Sequence, residues 1–189
     1  LVSHRRGETG AMFFWSVPFW YFFEAYNLVI KNWYYVFGLH SDLAEGIFGW
    51  LAFASVLPAC FFHAEFLKAT GLWGNLRSTP LHLTPVINAL LSVLGVACLV
   101  LPLVIPRYAF WLVWGALLIL PDLYNLRRGF PSLLQDLVLG KPGRILRLLL
   151  SGAWAGLVWE SFNYWARGKW IYTVPGLEHW KLFEMPLLG

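Results

Sequence analysis

Long apolar runs constrain this chain more than any other feature. A bilayer core of about 30 Å takes roughly 20 apolar residues to cross as a helix. Runs of that kind occur at 11–30, 43–67, 84–105 and 145–166, with a shorter one at 107–123. Glycine and proline punctuate the connections, among them Gly38, Gly71, Gly74, Pro80, Gly129 and Pro131. The fold class that follows is all-α and integral to the membrane, a polytopic bundle of about five to six transmembrane helices. The sixth is expected to start near Lys181, so the polypeptide is expected to continue past Gly189. Residues 1–124 read as a first membrane unit of four spans, 125–145 as a cytoplasmic interfacial linker, and 146–189 as a second unit.

Composition supports this reading. Charged residues make up 13% of the chain and apolar ones 59%, against roughly 25% charged in soluble domains. The aromatic content of 19% suits many passages through the headgroup level, where Trp and Tyr concentrate. The net charge of +4 is spread between apolar segments, which argues against a nucleic-acid partner. Cys60 and Cys98 lie inside apolar runs and read as small hydrophobes. With the N-terminus inside, the cytoplasmic side receives Arg5, Arg6, Lys68, Arg77, Arg127, Arg128, Lys141, Arg144 and Arg147. The opposite side receives only Lys31, Arg107, Arg167, Lys169 and Lys181, so a cytoplasmic N-terminus is expected. Leu133, Leu134, Leu137 and Val138 lie at helical spacing in the linker and read as an interfacial helix.

One pattern occurs twice. Glu24, Ala25, Tyr26, Asn27 and Lys31 share a single offset with Glu160, Ser161, Phe162, Asn163 and Arg167. With one inserted residue Trp33 matches Trp170 and Tyr35 matches Tyr172; further insertions align Glu45 with Glu184. The copies lie in the first and fifth spans, with three between, so both point the same way through the membrane, as in a parallel internal repeat. On a continuous helix, positions i, i+3 and i+7 share a face. Glu24, Asn27 and Lys31 then form one stripe, and Glu160, Asn163 and Arg167 another, each cation leaning back toward its carboxylate.

A carboxylate inside a membrane is costly enough to point to function. It also has a plain structural use, tying helices together through its amide and cation neighbours, and both readings stay open for each Glu. No His-Glu-x-x-His pattern accompanies His63, so no metal site is expected there. No phosphate-binding or dinucleotide fingerprint is present, and no cofactor is called for.

The series Glu160, Asn163, Gly168, Trp170, Tyr172, Gly176, Glu184, Pro186 resembles the repeated membrane unit of the bacterial and archaeal lycopene cyclases. The turn Gly168-Lys169-Trp170-Ile171-Tyr172 carries the likeness best. Glu184-Met185-Pro186 departs from it by reversing the order of proline and acid and by lacking a second glutamate. The resemblance implies an inner-membrane protein of a bacterium or archaeon that modifies an isoprenoid or carotenoid through proton-initiated chemistry. Glu24 and Glu160 would be the acids and Glu45 and Glu184 supporting carboxylates. Asn27, Asn163, Lys31, Arg167, Trp33, Tyr35, Trp170 and Tyr172 would line the ligand, the aromatic faces stabilising a carbocation. The competing expectation is a non-catalytic accessory subunit of a larger membrane complex, packed against partner helices, lipids or pigments.

Overall fold

The computed structural model describes residues 6–36, 38, 41–174 and 180–186. The protein is all-α in class, with two small strand pairs. Four helices are long and apolar enough to cross a membrane: α2 (Asp42–Ala69), α3 (Pro85–Val104), the stretch Pro106–Arg128, and α7 (Gly143–Trp165). Pro106–Arg128 consists of α4 (Pro106–Ala109), a 3-10 turn (Phe110–Leu112) and α5 (Val113–Arg128). These four make it an integral membrane protein. The first apolar run forms helix α1 (Arg6–Ile30), 25 residues long, which falls outside that set of four. Glu8, Ser16, Glu24, Asn27 and several Trp and Tyr lower its hydropathy.

No helix begins near Lys181 among the described residues. Instead β3 (Lys181–Leu182) pairs antiparallel with β4 (Met185–Pro186), and Phe183 at the turn takes φ +56°. Pro186 cannot donate to a helical ladder, and the two-residue reversal before it closes a hairpin.

Contacts divide the chain into two units, one made of Leu1–His63 with Ser151–Gly189 and the other of Ala64–Leu150. In the second, α3 and α5 lie close because glycines face them. A Cβ at Gly95 would come 2.6 Å from Leu120, and one at Gly115 would come 2.7 Å from the Cys98 sulfur, the small-residue contact that membrane helices favour. Arg127 at the end of α5 donates to Asn88 Oδ1 at 2.8 Å and to Ser92 Oγ at 3.1 Å. Asp122 caps the short helix α6 (Leu133–Val138), accepting from the Leu133 and Leu134 amides at 2.7 and 2.8 Å. A helix is therefore present where one was expected. Asp122 serves it rather than ending its own helix, which runs on to Arg128.

The first unit holds both copies of the repeated pattern. Ser16 of α1, fully buried, donates to the Phe53 carbonyl of α2 and accepts from the Leu57 amide at 3.1 Å. It thereby inserts into that helix's ladder, one turn before Pro58. Ser151 of α7 donates to the Cys60 carbonyl in the same manner. Trp20 stacks edge-on against Trp159, with ring centroids 6.3 Å apart. After each helix the chain turns into a strand. These two strands, β1 (Trp33–Val36) and β2 (Lys169–Tyr172), pair antiparallel in the register Trp33↔Tyr172, Tyr34↔Ile171, Tyr35↔Trp170, Val36↔Lys169.

Candidate functional site

The site starts from where the two helices stop. α1 ends at Ile30, and Lys31 follows in the left-handed region at φ +52°, its amide bonded to the Asn27 carbonyl at 2.9 Å. That conformation turns the chain back on itself. α7 ends at Trp165, and the chain bends through Arg167 and Gly168 into β2. Neither cation stays on its helix, so the expected Glu–Asn–cation stripes do not form. Lys31 and Arg167 are exposed, and no ion pair joins either to its glutamate among the described residues. What reaches each glutamate is the strand that follows it.

In the first copy Glu24 Oε1 accepts the Trp33 indole N–H at 3.2 Å and the Tyr35 hydroxyl at 2.5 Å. In the second, Glu160 Oε1 accepts the Trp170 indole N–H and the Tyr172 hydroxyl, both at 3.0 Å. A strand exposes residues two apart on the same face, so Trp-x-Tyr presents two donors to one carboxyl. The register places Trp33 opposite Tyr172 and Tyr35 opposite Trp170. All four aromatics therefore stand on one face of the two-stranded sheet, and exchanging the strands maps each Trp onto the other Trp. The duplication read from sequence is a local twofold here.

The asparagines do a different job. Asn163 Nδ2 donates to the Trp170 carbonyl and its Oδ1 accepts the Trp170 amide, both at 2.9 Å. Asn27 Nδ2 donates to the Trp33 carbonyl at 2.7 Å, and its Oδ1 accepts from the amides of Asn32 at 2.9 Å and Trp33 at 3.2 Å. A side-chain amide carries the same donor and acceptor as a peptide. Each Asn thus pairs with the outer edge of its strand as a third strand would, closing an edge that is otherwise unsatisfied.

Environment separates the copies. Glu160 is 3% exposed and its Oε2 is buried without a hydrogen-bond partner, whereas Glu24 is half-buried. Tyr35 and Tyr172 lie outside the spans, and burial is the main cause that pushes both phenols upward from 10.0, with the neighbouring carboxylate adding to it.

Glu45 and Glu184 align in sequence but occupy unlike places. Glu45 sits in the first turn of α2. Glu184 lies in the β3–β4 turn and accepts from Lys169 Nζ at 3.2 Å. Lys169 also lies 5.7 Å over the Tyr164 ring. Glu45 and Arg167 both border a cleft of about 570 Å3, with Tyr35, Gly38, Phe48 and Trp170. The cross-strand pair Tyr35 and Trp170 therefore borders this cleft while its polar edges hold the two carboxyls.

Sequence reasoning did not foresee the pairing of β1 with β2, the use of Trp and Tyr as donors to the glutamates, or Lys169. The signal for the first two was the Trp-x-Tyr alternation at equal distance from both glutamates, a period-two pattern that belongs to strands. Compared with known protein families, with curated proteins and with solved structures, the chain matches none.

Proposed function

We propose that this chain is a membrane-embedded isoprenoid- or carotenoid-modifying protein in which Glu160 delivers a proton to a double bond of a long apolar substrate. One observation carries the reading: the Glu160 carboxyl is buried and held through one oxygen, while its other oxygen has no partner among the described residues. A carboxyl so placed has a free atom from which to give a proton. The proton on Oε2 passes to an alkene carbon, leaving a carboxylate on Glu160 and a carbocation on the substrate. Ring closure consumes a second double bond, and the proton then lost from a neighbouring carbon returns to the Glu160 carboxylate, restoring the acid and leaving a net isomerisation with no oxidant or reductant. Trp170, Tyr172, Trp33 and Tyr35 supply electron-rich faces for the cation. The cleft beside Tyr35 and Trp170 gives the substrate an approach, and the likeness to lycopene cyclases supports the substrate class.

Glu160→Gln keeps the shape and an acceptor for both donors but removes the transferable proton. Turnover of linear carotenoids in membranes or nanodiscs is expected to fall roughly 100-fold or more, while Glu24→Gln costs far less. Equal turnover by Glu160→Gln and wild type would sink the proposal. A second reading, an accessory subunit, is favoured by the exposed aromatics of α1, namely Phe13, Phe14, Trp15 and Tyr21. Its signature is a stoichiometric partner polypeptide and no turnover by the chain itself.

A further inference from the structure

In both copies the indole N–H and the phenol O–H go to the same carboxyl oxygen, Oε1. An oxygen that already accepts two bonds is a poor place for a proton, so any proton the carboxyl carries sits on Oε2. At Glu160 this matters, because Oε2 is buried and unpartnered. A bare buried carboxylate oxygen bears a large desolvation cost, which a protein ordinarily avoids by neutralising the group; an unpartnered neutral hydroxyl is far cheaper. The charged or titratable groups that face Glu160 are the Tyr172 phenol and Glu184, the latter held by Lys169. Arg167, the cation expected to neutralise it, is exposed and unjoined to it. Glu24 has the same two donors but is only half-buried.

We infer that the twofold is broken at the level of the proton: Glu160 is a neutral acid with its proton on Oε2, a state that its deeper burial and bare second oxygen set apart from its counterpart in the first copy. Trp170 and Tyr172 are positioning residues that occupy Oε1 and leave Oε2 to carry the proton. Trp33 and Tyr35 hold Glu24 through the same pair of bonds. The use of that proton rests on the function proposed above, but its presence does not.

Infrared spectroscopy of the protein in lipid nanodiscs at neutral pH tests this without substrate. Wild type shows a protonated-carboxyl C=O band that shifts in deuterium oxide. Glu160→Gln removes it and Glu24→Gln retains it. Tyr172→Phe and Trp170→Phe each move it to higher frequency, since each takes one bond from Oε1. A purely structural role for these aromatics would lower stability and leave the band frequency alone. The inference is overturned by a wild type without the band, by loss of the band in Glu24→Gln, or by an unmoved band in Tyr172→Phe. If Glu160→Gln does not fold, the wild-type band and its shift in Tyr172→Phe still decide the matter. A band that behaves as expected in a protein that turns over no isoprenoid upholds this inference and removes the functional reading.

Discussion

Replacing Asn163 with Leu keeps nearly the same volume and removes both bonds to Trp170. Two backbone groups, the Trp170 N–H and C=O, then face a hydrocarbon side chain at 2% exposure of the original residue. Leaving a buried polar group unsatisfied costs about 1 to 3 kcal/mol, so the pair should cost roughly 2 to 6 kcal/mol. At 2 to 4 °C per kcal/mol for a chain of this size, the melting midpoint should fall by roughly 4 to 24 °C. Asn27→Leu loses three bonds, yet Asn27 is only half-buried, and water can take over part of what it held. The order expected is therefore a larger loss for Asn163 than for Asn27, despite the smaller number of bonds. Thermal unfolding of both variants in one detergent, followed by tryptophan fluorescence, measures it. A shift under a degree or two for Asn163→Leu, or the reverse order, would refute the idea that these amides close the strand edges.

Two further outcomes follow from the same sheet. Because burial and the adjacent carboxylate raise the Tyr35 and Tyr172 phenols above 10.0, the folded state favours their protonated forms. The stability this gives is full below pH 10.0 and is lost as pH rises past that value. In a spectrophotometric titration these two phenols should ionise only with unfolding; tyrosinate from either in the folded protein near pH 10.0 contradicts the burial described. Gly38 approaches Gly168 so closely that a Cβ on Gly38 would lie 2.8 Å from the Gly168 nitrogen, a backbone atom that cannot swing aside. Gly38→Ala should cost about 1 to 3 kcal/mol, read as a lower melting midpoint, whereas Gly49→Ala, facing open space, should be nearly neutral.

The spans were legible because a membrane helix writes its whole requirement into consecutive residues. The run 43–67 is α2 to within a few residues, and 145–166 is α7. The repeat was legible too, since Glu, Asn, Trp and Tyr recur at matching spacing. The cations were misplaced because a stripe through Lys31 or Arg167 assumes that the helix continues, and a left-handed residue in one copy and a glycine bend in the other end it first. Strand pairing leaves no local trace of its partner. Trp-x-Tyr announces a strand, but nothing near residue 33 names residue 170. The difference between Glu24 and Glu160 is less legible still, because similar neighbours in sequence give unequal burial once the chain has packed.

The register that joins Trp33 to Tyr172 has a consequence for how the chain is made. Glu24 and Asn27 find their partners within eleven residues of themselves, so the first copy can satisfy its polar groups as soon as it leaves the ribosome. The inner edge of β1 has no such local remedy, because its partner strand is made only after all the intervening helices. Contacts of long sequence separation form slowly, after their loop-closure entropy has been met. During that interval an unpaired aromatic strand edge is a template for a wrong partner. Pairing β1 with its distant partner strand is thus a step that the apolar helices, each complete in consecutive residues, do not require.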